Sequence, residues 1–415
     1  MINSLNNTID HLWPDYIELL QQLVKEPSTL GNERAAQEVV YHHLRGRMNL
    51  PAEKWDLDLG ALALHPLYAP TSWLYQSRPN VTAIWGGTGG GLSLVLNSHI
   101  DVVSAEPSSW WSHNPWEATI VGNNMYGRGA LDMKSGLVAT VLALEAVMAS
   151  GIKLRGSVLV ESVIEEECTG NGMLAARLRS GRVDGALIPE STGLRAWTAT
   201  LGVVWFEITV CGKPAYVGEA GAYVNANEAA IALIARLKPP MVEELNALPR
   251  HPAFANHSRP FVLNVGMLTG GDWPTNVALE CRFTSRMAFP IGWSFAQVQA
   301  FIERHLAHAI AIDPWLSENP PTLRFPGFRA LGWAIDEEAP LVRLLEQCHQ
   351  TIVGTPLDRA AFPGTADARY FDADEQVVYY GPSGGNQHAP DEYVDLDSIV
   401  PMARVLAQLI LEWSG

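Results

Sequence analysis

The apolar residues of this chain come in two rhythms. Residues 17–24 carry them at helical spacing and are followed by Pro27, which predicts a helix ending there. Residues 92–97, 157–164 and 186–188 are short runs rich in Leu, Val and Ile, and read as buried strands. Between the first two lies 136–149 (GLVATVLALEAVMA), apolar nearly all round, which predicts a long buried helix. Apolar strands alternating with helices imply a largely parallel sheet covered on both faces.

Near Thr198 the texture changes. Residues 203–210 alternate apolar and polar positions like a half-exposed strand. A helix over 227–237 follows, then strands over 261–268 and 277–287, a helix over 295–311 and a last short strand at 322–325. That order, β-α-β-β-α-β, is the split βαβ or ferredoxin-like arrangement. From Pro340 the first rhythm returns, with a helix at 341–353, a strand at 376–380 and a closing helix at 398–413. The expected fold class is therefore α/β. Residues 1–197 and 329–415 form a large domain with a mostly parallel sheet flanked by helices. Residues 198–328 form an inserted α+β domain. A length of 415 residues also exceeds what one hydrophobic core usually serves.

Composition narrows the function classes. Hydrophobic residues make up 47% and charged residues 17%, a globular balance. With 28 Lys+Arg against 44 Asp+Glu, the net charge is 28 − 44 = −16. That argues against nucleic acid or an anionic membrane as partner, and leaves room for a local basic pocket. Cys168, Cys211, Cys281 and Cys348 are far apart, without zinc-ribbon or disulfide spacing, so reduced thiols in a cytoplasmic protein are expected. Residues 1–15 are polar and hold no apolar signal core, and no apolar stretch is long and unbroken enough to span a bilayer. The 14 tryptophans hint at an aromatic-lined pocket, although most belong in the core.

The candidate chemistry sits after the expected strands. His99 and Asp101 follow the run at 92–97, the glutamates 165–167 follow 157–164, and Glu190 follows 186–188. His388 lies in the Gly-rich loop 381–388 after the last strand, and Asp132 just precedes the long apolar helix. Sites in open α/β sheets form at the carboxyl ends of strands. Several carboxylates gathered there repel one another, and divalent metal ions are the usual remedy. Singly, each segment has a plainer reading: a hydrogen-bonded His–Asp pair, a solvated glutamate turn, helix caps at Glu190 and Asp132, an incidental loop histidine. Five such segments in one order favour a metal site.

These segments resemble the co-catalytic zinc amidohydrolases that include acetylornithine deacetylase, succinyl-diaminopimelate desuccinylase, aminoacylase and carboxypeptidase G. The matching stretches are SHIDVV (98–103), the W…NPW that follows, YGRGALDMKSG (126–136), EEECTGNG (165–172), PEST (189–192), GKPAYVG (212–218), NVGMLTGGDWPTNV (264–277), PGTADAR (363–369) and GPSGGNQHAPDEYV (381–394). They run along nearly the whole chain.

The resemblance implies two Zn2+ per subunit, with Co2+ or Mn2+ as substitutes. His99, Asp132 and Glu190 would hold one ion and His388, Asp132 and Glu167 the other, with Asp132 bridging. Asp101 would be the carboxylate that fixes the His99 tautomer. Glu166 would be general base and acid. The inserted domain would be a lid and the interface of a homodimer. Glu190 goes with deacylases and carboxypeptidases, where related aminopeptidases carry aspartate. The expected substrate is thus an N-acyl amino acid or dipeptide-like molecule with a free carboxylate. Arg286 matches a carboxylate-binding arginine, with a surface arginine on a strand as the plainer reading. Asn276 matches a substrate-contacting asparagine loosely, and Gly364 falls among the substrate-binding positions. One departure stands out. Where the family reads Gly-Lys-x-x-His, with the histidine reaching the neighbouring subunit's oxyanion, this chain has Tyr216. A phenol donates one hydrogen bond but carries no positive charge near neutral pH. It fits an adapted donor in a working hydrolase. The alternative is a catalytically altered relative, acting on an unusual amide or binding a ligand without turnover.

Overall fold

The strand Leu94–His99 is the pivot of the larger sheet in the computed structural model, which describes residues 2–219 and 221–415. It runs parallel to Val158–Val163 on one side and to Gly185–Ile188 on the other. Gln376–Tyr379 adds in parallel beyond Gly185–Ile188. These are the four apolar runs expected to share a sheet. Because they point one way, their carboxyl ends lie along one edge.

The flanks are antiparallel, which the apolar pattern did not announce. Asn80–Trp85 pairs with Val158–Val163, and Ala52–Trp55 pairs with Asn80–Trp85. On the other side Ala196–Thr200 meets Gln376–Tyr379 antiparallel, with Arg359–Phe362 parallel to it and Trp333–Ala334 antiparallel. The outermost strand Ala52–Trp55 has two exposed positions in four, so it lacks the continuous apolar run that marks a central strand. The helix Ser135–Ala149 is buried on nearly every side between Ile2–Lys25 and Ile399–Ser414, which is why it has no polar face. One hydrophobic core gathers residues from Leu5 to Trp197 and again from Leu341 to Trp413.

The second sheet has the order Leu263–Gly270, Glu280–Phe289, Gly202–Cys211, Thr322–Arg324, all antiparallel. Its two long helices, Ala226–Ala247 and Phe295–Ala311, share a separate core with Phe206, Ile208 and Phe283. This is the split βαβ order. The first helix runs ten residues beyond the expected end at Leu237, through Pro239 and Pro240. Leu233, Leu237, Met241 and Leu245 recur every four residues and are all buried, so packing on the sheet outweighs the lost backbone bonds. Ser294 opens the second helix with a reciprocal bond to Gln297.

A small third sheet joins Thr119–Val121, Asn124–Tyr126, Tyr393–Asp395 and Gly384–Gly385. Strands of two or three residues have no readable period, but this one ties the loop of His388 to the segment that leads into Asp132. Among the described residues, no helix is long and apolar enough to cross a membrane.

Candidate active site

His99 is the last residue of its strand and is buried. Its Nδ1 lies 2.9 Å from the main-chain carbonyl of Asp101, so Nδ1 donates there and Nε2 faces inward toward the carboxylates. The Asp101 carboxylate was expected in that position, but its oxygen stands 3.8 Å from Nδ1. Instead it accepts the N–H groups of Glu166 and Glu167, each at 3.1 Å. Two fixed backbone donors satisfy both its oxygens, and the carbonyl is free to take the ring. Asp101 thus orients the histidine and the glutamate turn together.

Glu165, the first of the three glutamates, turns away from the site. Its carboxylate accepts from Trp73 Nε1 at 2.7 Å, Tyr75 Oη at 2.5 Å and Thr169 Oγ1 at 2.6 Å, and pairs with Arg78 at 2.6 Å. Its backbone is left-handed (φ 67°), uncommon for a residue with a side chain. That twist aims Glu166 and Glu167 at the strand ends while Glu165 anchors the turn in the core.

Asp132 is the centre of the cluster. Its Oδ1 is 3.2 Å from His99 Nε2 and its Oδ2 3.1 Å from His388 Nε2. Glu190 Oε1 lies 3.9 Å from His99 Nε2, and Glu167 Oε1 lies 3.0 Å from His388 Nε2. The two expected ligand sets are therefore adjacent and share Asp132. Ligand atoms of His99, Asp132 and Glu167 all lie within 4.8 Å of one another. The support is built from neighbouring motifs. Glu392, paired with Arg128, accepts the N–H groups of Leu131 and Asp132, and Gln387 donates to Asp132 Oδ2 at 2.6 Å. Gly136 lets the helix start press on the carbonyl of Pro189, where a Cβ would come within 2.0 Å, and so holds the Glu190 segment close.

Charge in the cluster is unbalanced by the chain's fixed cations. Burial would raise Asp132, but hydrogen bonds from His388 and His99 hold it well below the usual carboxylate range. The charge of Glu167, against the effect of burial, helps push His388 up to about 11. Burial and then the charge of Asp132 push Glu190 well up. Burial and then the charge of Asp367 do the same to Glu166. Lys134 spends its ammonium on the carbonyls of Leu23 and Glu26. Two imidazoles and three carboxylates, all nitrogen or oxygen donors, fit divalent ions of the zinc, cobalt or manganese kind.

These residues open into a cavity of about 590 Å³ shared with the second sheet. Glu166, Glu190, Gly364 and Arg286 line it. Glu166 Oε1 is buried with no hydrogen-bond partner, and Arg369 Nη1 is 3.7 Å from it. Arg369 itself lies over the rings of Phe328 and Tyr370. Gly364 leaves room for the Phe362 ring, which a Cβ would meet at 2.3 Å. Arg286 is largely desolvated, which lowers its pKa, and it has no acidic partner among the described residues. Tyr216 and Asn276 are not brought here. They share a separate depression of about 540 Å³ on the second domain, where Tyr216 is 73% exposed and Asn276 bonds to Asp272. Reading the sequence missed Gln387, Arg369, Asn264 and Trp205. The first three lie inside stretches already singled out, whereas Trp205 is found only through strand register.

Comparison with known proteins adds the following. Residues 95–412 match the family described as Peptidase family M20/M25/M40. The chain is 25% identical over 442 aligned positions to N-formyl-4-amino-5-aminomethyl-2-methylpyrimidine deformylase of Halalkalibacterium halodurans, covering 100% of this chain and 97% of the relative. It is 29% identical over 342 positions to succinyl-diaminopimelate desuccinylase of Leptothrix cholodnii, covering 78% and 83%. Among solved structures it is similar to the di-peptidase Dug1p of Saccharomyces cerevisiae, with a TM-score of 0.83, 14% identity and coverage of 100% and 98%.

Proposed function

The chain belongs to peptidase family M20/M25/M40, and on that footing we propose that it is a metal-dependent hydrolase of the amide bond in an N-acyl amino acid or small peptide-like molecule bearing a free carboxylate. The observation that carries this reading is Asp132, with one oxygen toward His99 and the other toward His388, in the same cavity as Glu166 and as Arg286, which has no acidic partner among the described residues. The names of the relatives agree on the bond: one removes a formyl group, another a succinyl group.

His99, Asp132 and Glu190 would hold one ion and His388, Asp132 and Glu167 the other. Two divalent ions, Zn2+ by our reading, would supply a water of lowered pKa and positive charge for the amide carbonyl and its oxyanion. The Glu166 carboxylate takes a proton of the attacking water as the water oxygen bonds to the acyl carbon. The same carboxylate then hands that proton to the nitrogen as the C–N bond breaks, releasing acid and amine. Asp101 keeps Glu166 and Glu167 in register through their N–H groups. Arg286 holds the substrate carboxylate, because a desolvated guanidinium without a partner favours an anion.

We take residues 1–197 and 329–415 as the catalytic domain and 198–328 as a lid that pairs two subunits in the cytoplasm. The exposed Met267 and Leu268 on the edge strand Leu263–Gly270 support such pairing. So does the distance of Tyr216 from this chain's own metal cluster: Tyr216 of the partner subunit would complete the site. Tyr216→Phe should then lower kcat by about a hundredfold with little change in KM, the usual loss for one oxyanion donor. Full activity in Tyr216→Phe would assign the residue to packing or specificity.

A screen of N-formyl, N-acetyl, N-succinyl and N-aroyl amino acids, each against its methyl ester, tests the reading. Free acids should be hydrolysed with higher kcat/KM than their esters. Arg286→Met should lower kcat/KM for the acids by about 10- to 150-fold, as expected for a charged hydrogen bond. Esters cleaved as well as acids would remove the carboxylate from the proposal.

A further inference from the structure

Arg286 is one member of a row. Its partners in register are Asn264 on one side and Trp205 on the other. Residues directly opposite on antiparallel strands share a face and stand roughly 5 Å apart. The N–H of Trp205 bonds to the carbonyl of Phe328 at 3.0 Å, and the two rings lie 5.7 Å apart, tilted by 36°. Asn264, Arg286, Trp205 and Phe328 all line the metal-site cavity. Phe362 lines it from the larger domain, held by stacking on Trp197 at 4.2 Å and 5°.

Trp205 and Phe328 belong to neither domain core. With Val203 and Ala330 they form a small apolar cluster of their own at the cavity. Trp205 is only partly buried although it stands among large apolar neighbours. An aromatic surface left partly open beside a desolvated, unpaired guanidinium is complementary to a flat ring with a nearby anion.

Resting on the function proposed above, we infer that the site selects amides of aromatic α-amino acids, with the carboxylate on Arg286 and Asn264 and the ring against Trp205 and Phe328. In such a molecule the carboxylate and the ring hang from neighbouring carbons. Arg286 and Trp205 are cross-strand neighbours on one face, their Cβ atoms roughly 5 Å apart, so the two side chains can address both groups at once. The third branch, the acyl amide, is left to face Glu166. Phe362, which lines the same cavity from the larger domain, adds a further aromatic boundary to the space open to the ring.

The test uses the metal-loaded protein and the acyl group best accepted in the screen. Acylated phenylalanine, leucine and phenethylamine are compared by kcat/KM. Phenylalanine should exceed leucine by about tenfold, since the aliphatic side chain fills the slot without stacking. It should exceed phenethylamine, which lacks the carboxylate, by at least as much. Trp205→Leu should bring the phenylalanine-to-leucine ratio to about one, with Phe328→Leu as a second variant should the first not fold. Equal rates for phenylalanine and leucine, or a ratio that survives both variants, overturn the ring slot. Phenethylamine cleaved as well as phenylalanine overturns the pairing of ring and carboxylate. If no amide is cleaved, the proposed function fails, and calorimetric binding of the acylated phenylalanine and leucine still decides this inference. Tighter binding of the aromatic compound supports it, and equal binding overturns it.

Discussion

Glu166→Gln should keep its metal and lose about a hundredfold to ten-thousandfold in turnover. Glutamine preserves the shape of the side chain, and the backbone bond from residue 166 to Asp101 is unaffected. What disappears is the oxygen that accepts and returns a proton, a contribution usually of that size. Glu166 Oε1 is buried with no hydrogen-bond partner among the described residues, so the other interaction lost is its charge pair with Arg369 at 3.7 Å. Glu167→Gln should behave differently. Its Oε1 is 3.0 Å from His388 Nε2 within the ligand cluster, and neutralising it should weaken metal binding before it touches the chemistry. Turnover and metal content measured on both proteins separate the roles. Two variants alike in both measurements would show that the division of labour between these neighbours is misassigned.

Much of this arrangement was legible because it is local. Each candidate ligand except Asp132 follows a short apolar strand, and parallel strands deliver their carboxyl ends to one edge. The positions of His99, Glu167, Glu190 and His388 along that edge therefore follow from sequence rhythm and motif order together. The β-α-β-β-α-β order of the second sheet was legible for the same reason. What escaped depends on distant contacts. Glu165 looks like its two neighbours in the sequence, and only its left-handed backbone and its bonds to Trp73, Tyr75 and Arg78 separate it from them. The carboxylate of Asp101 was assigned to His99 because the i, i+2 spacing allows it, whereas Glu166 and Glu167, 65 and 66 residues later, offer two N–H groups in fixed geometry. The row Asn264, Arg286, Trp205 arises from strand register across some eighty residues, which no local pattern encodes. The helix that continues through Pro239 and Pro240 shows tertiary packing overriding a strong local stop signal.

The second large effect is removal of metal. Asp132, Glu167 and Glu190 crowd the buried His99 and the half-exposed His388, with the nearby Lys134 already committed to carbonyls. Divalent ions would supply the charge that this donor set lacks. Chelation should therefore abolish hydrolysis, and Asp132→Ala should prevent both ions from binding, because each set uses that residue. The decisive measurement is the metal content of protein stripped with a chelator, reloaded with Zn2+ and freed of excess, taken together with its activity. The account predicts about two ions per subunit, activity that returns as they bind, and neither in Asp132→Ala. A content that stays near zero, or hydrolysis that persists in fully stripped protein, would contradict it.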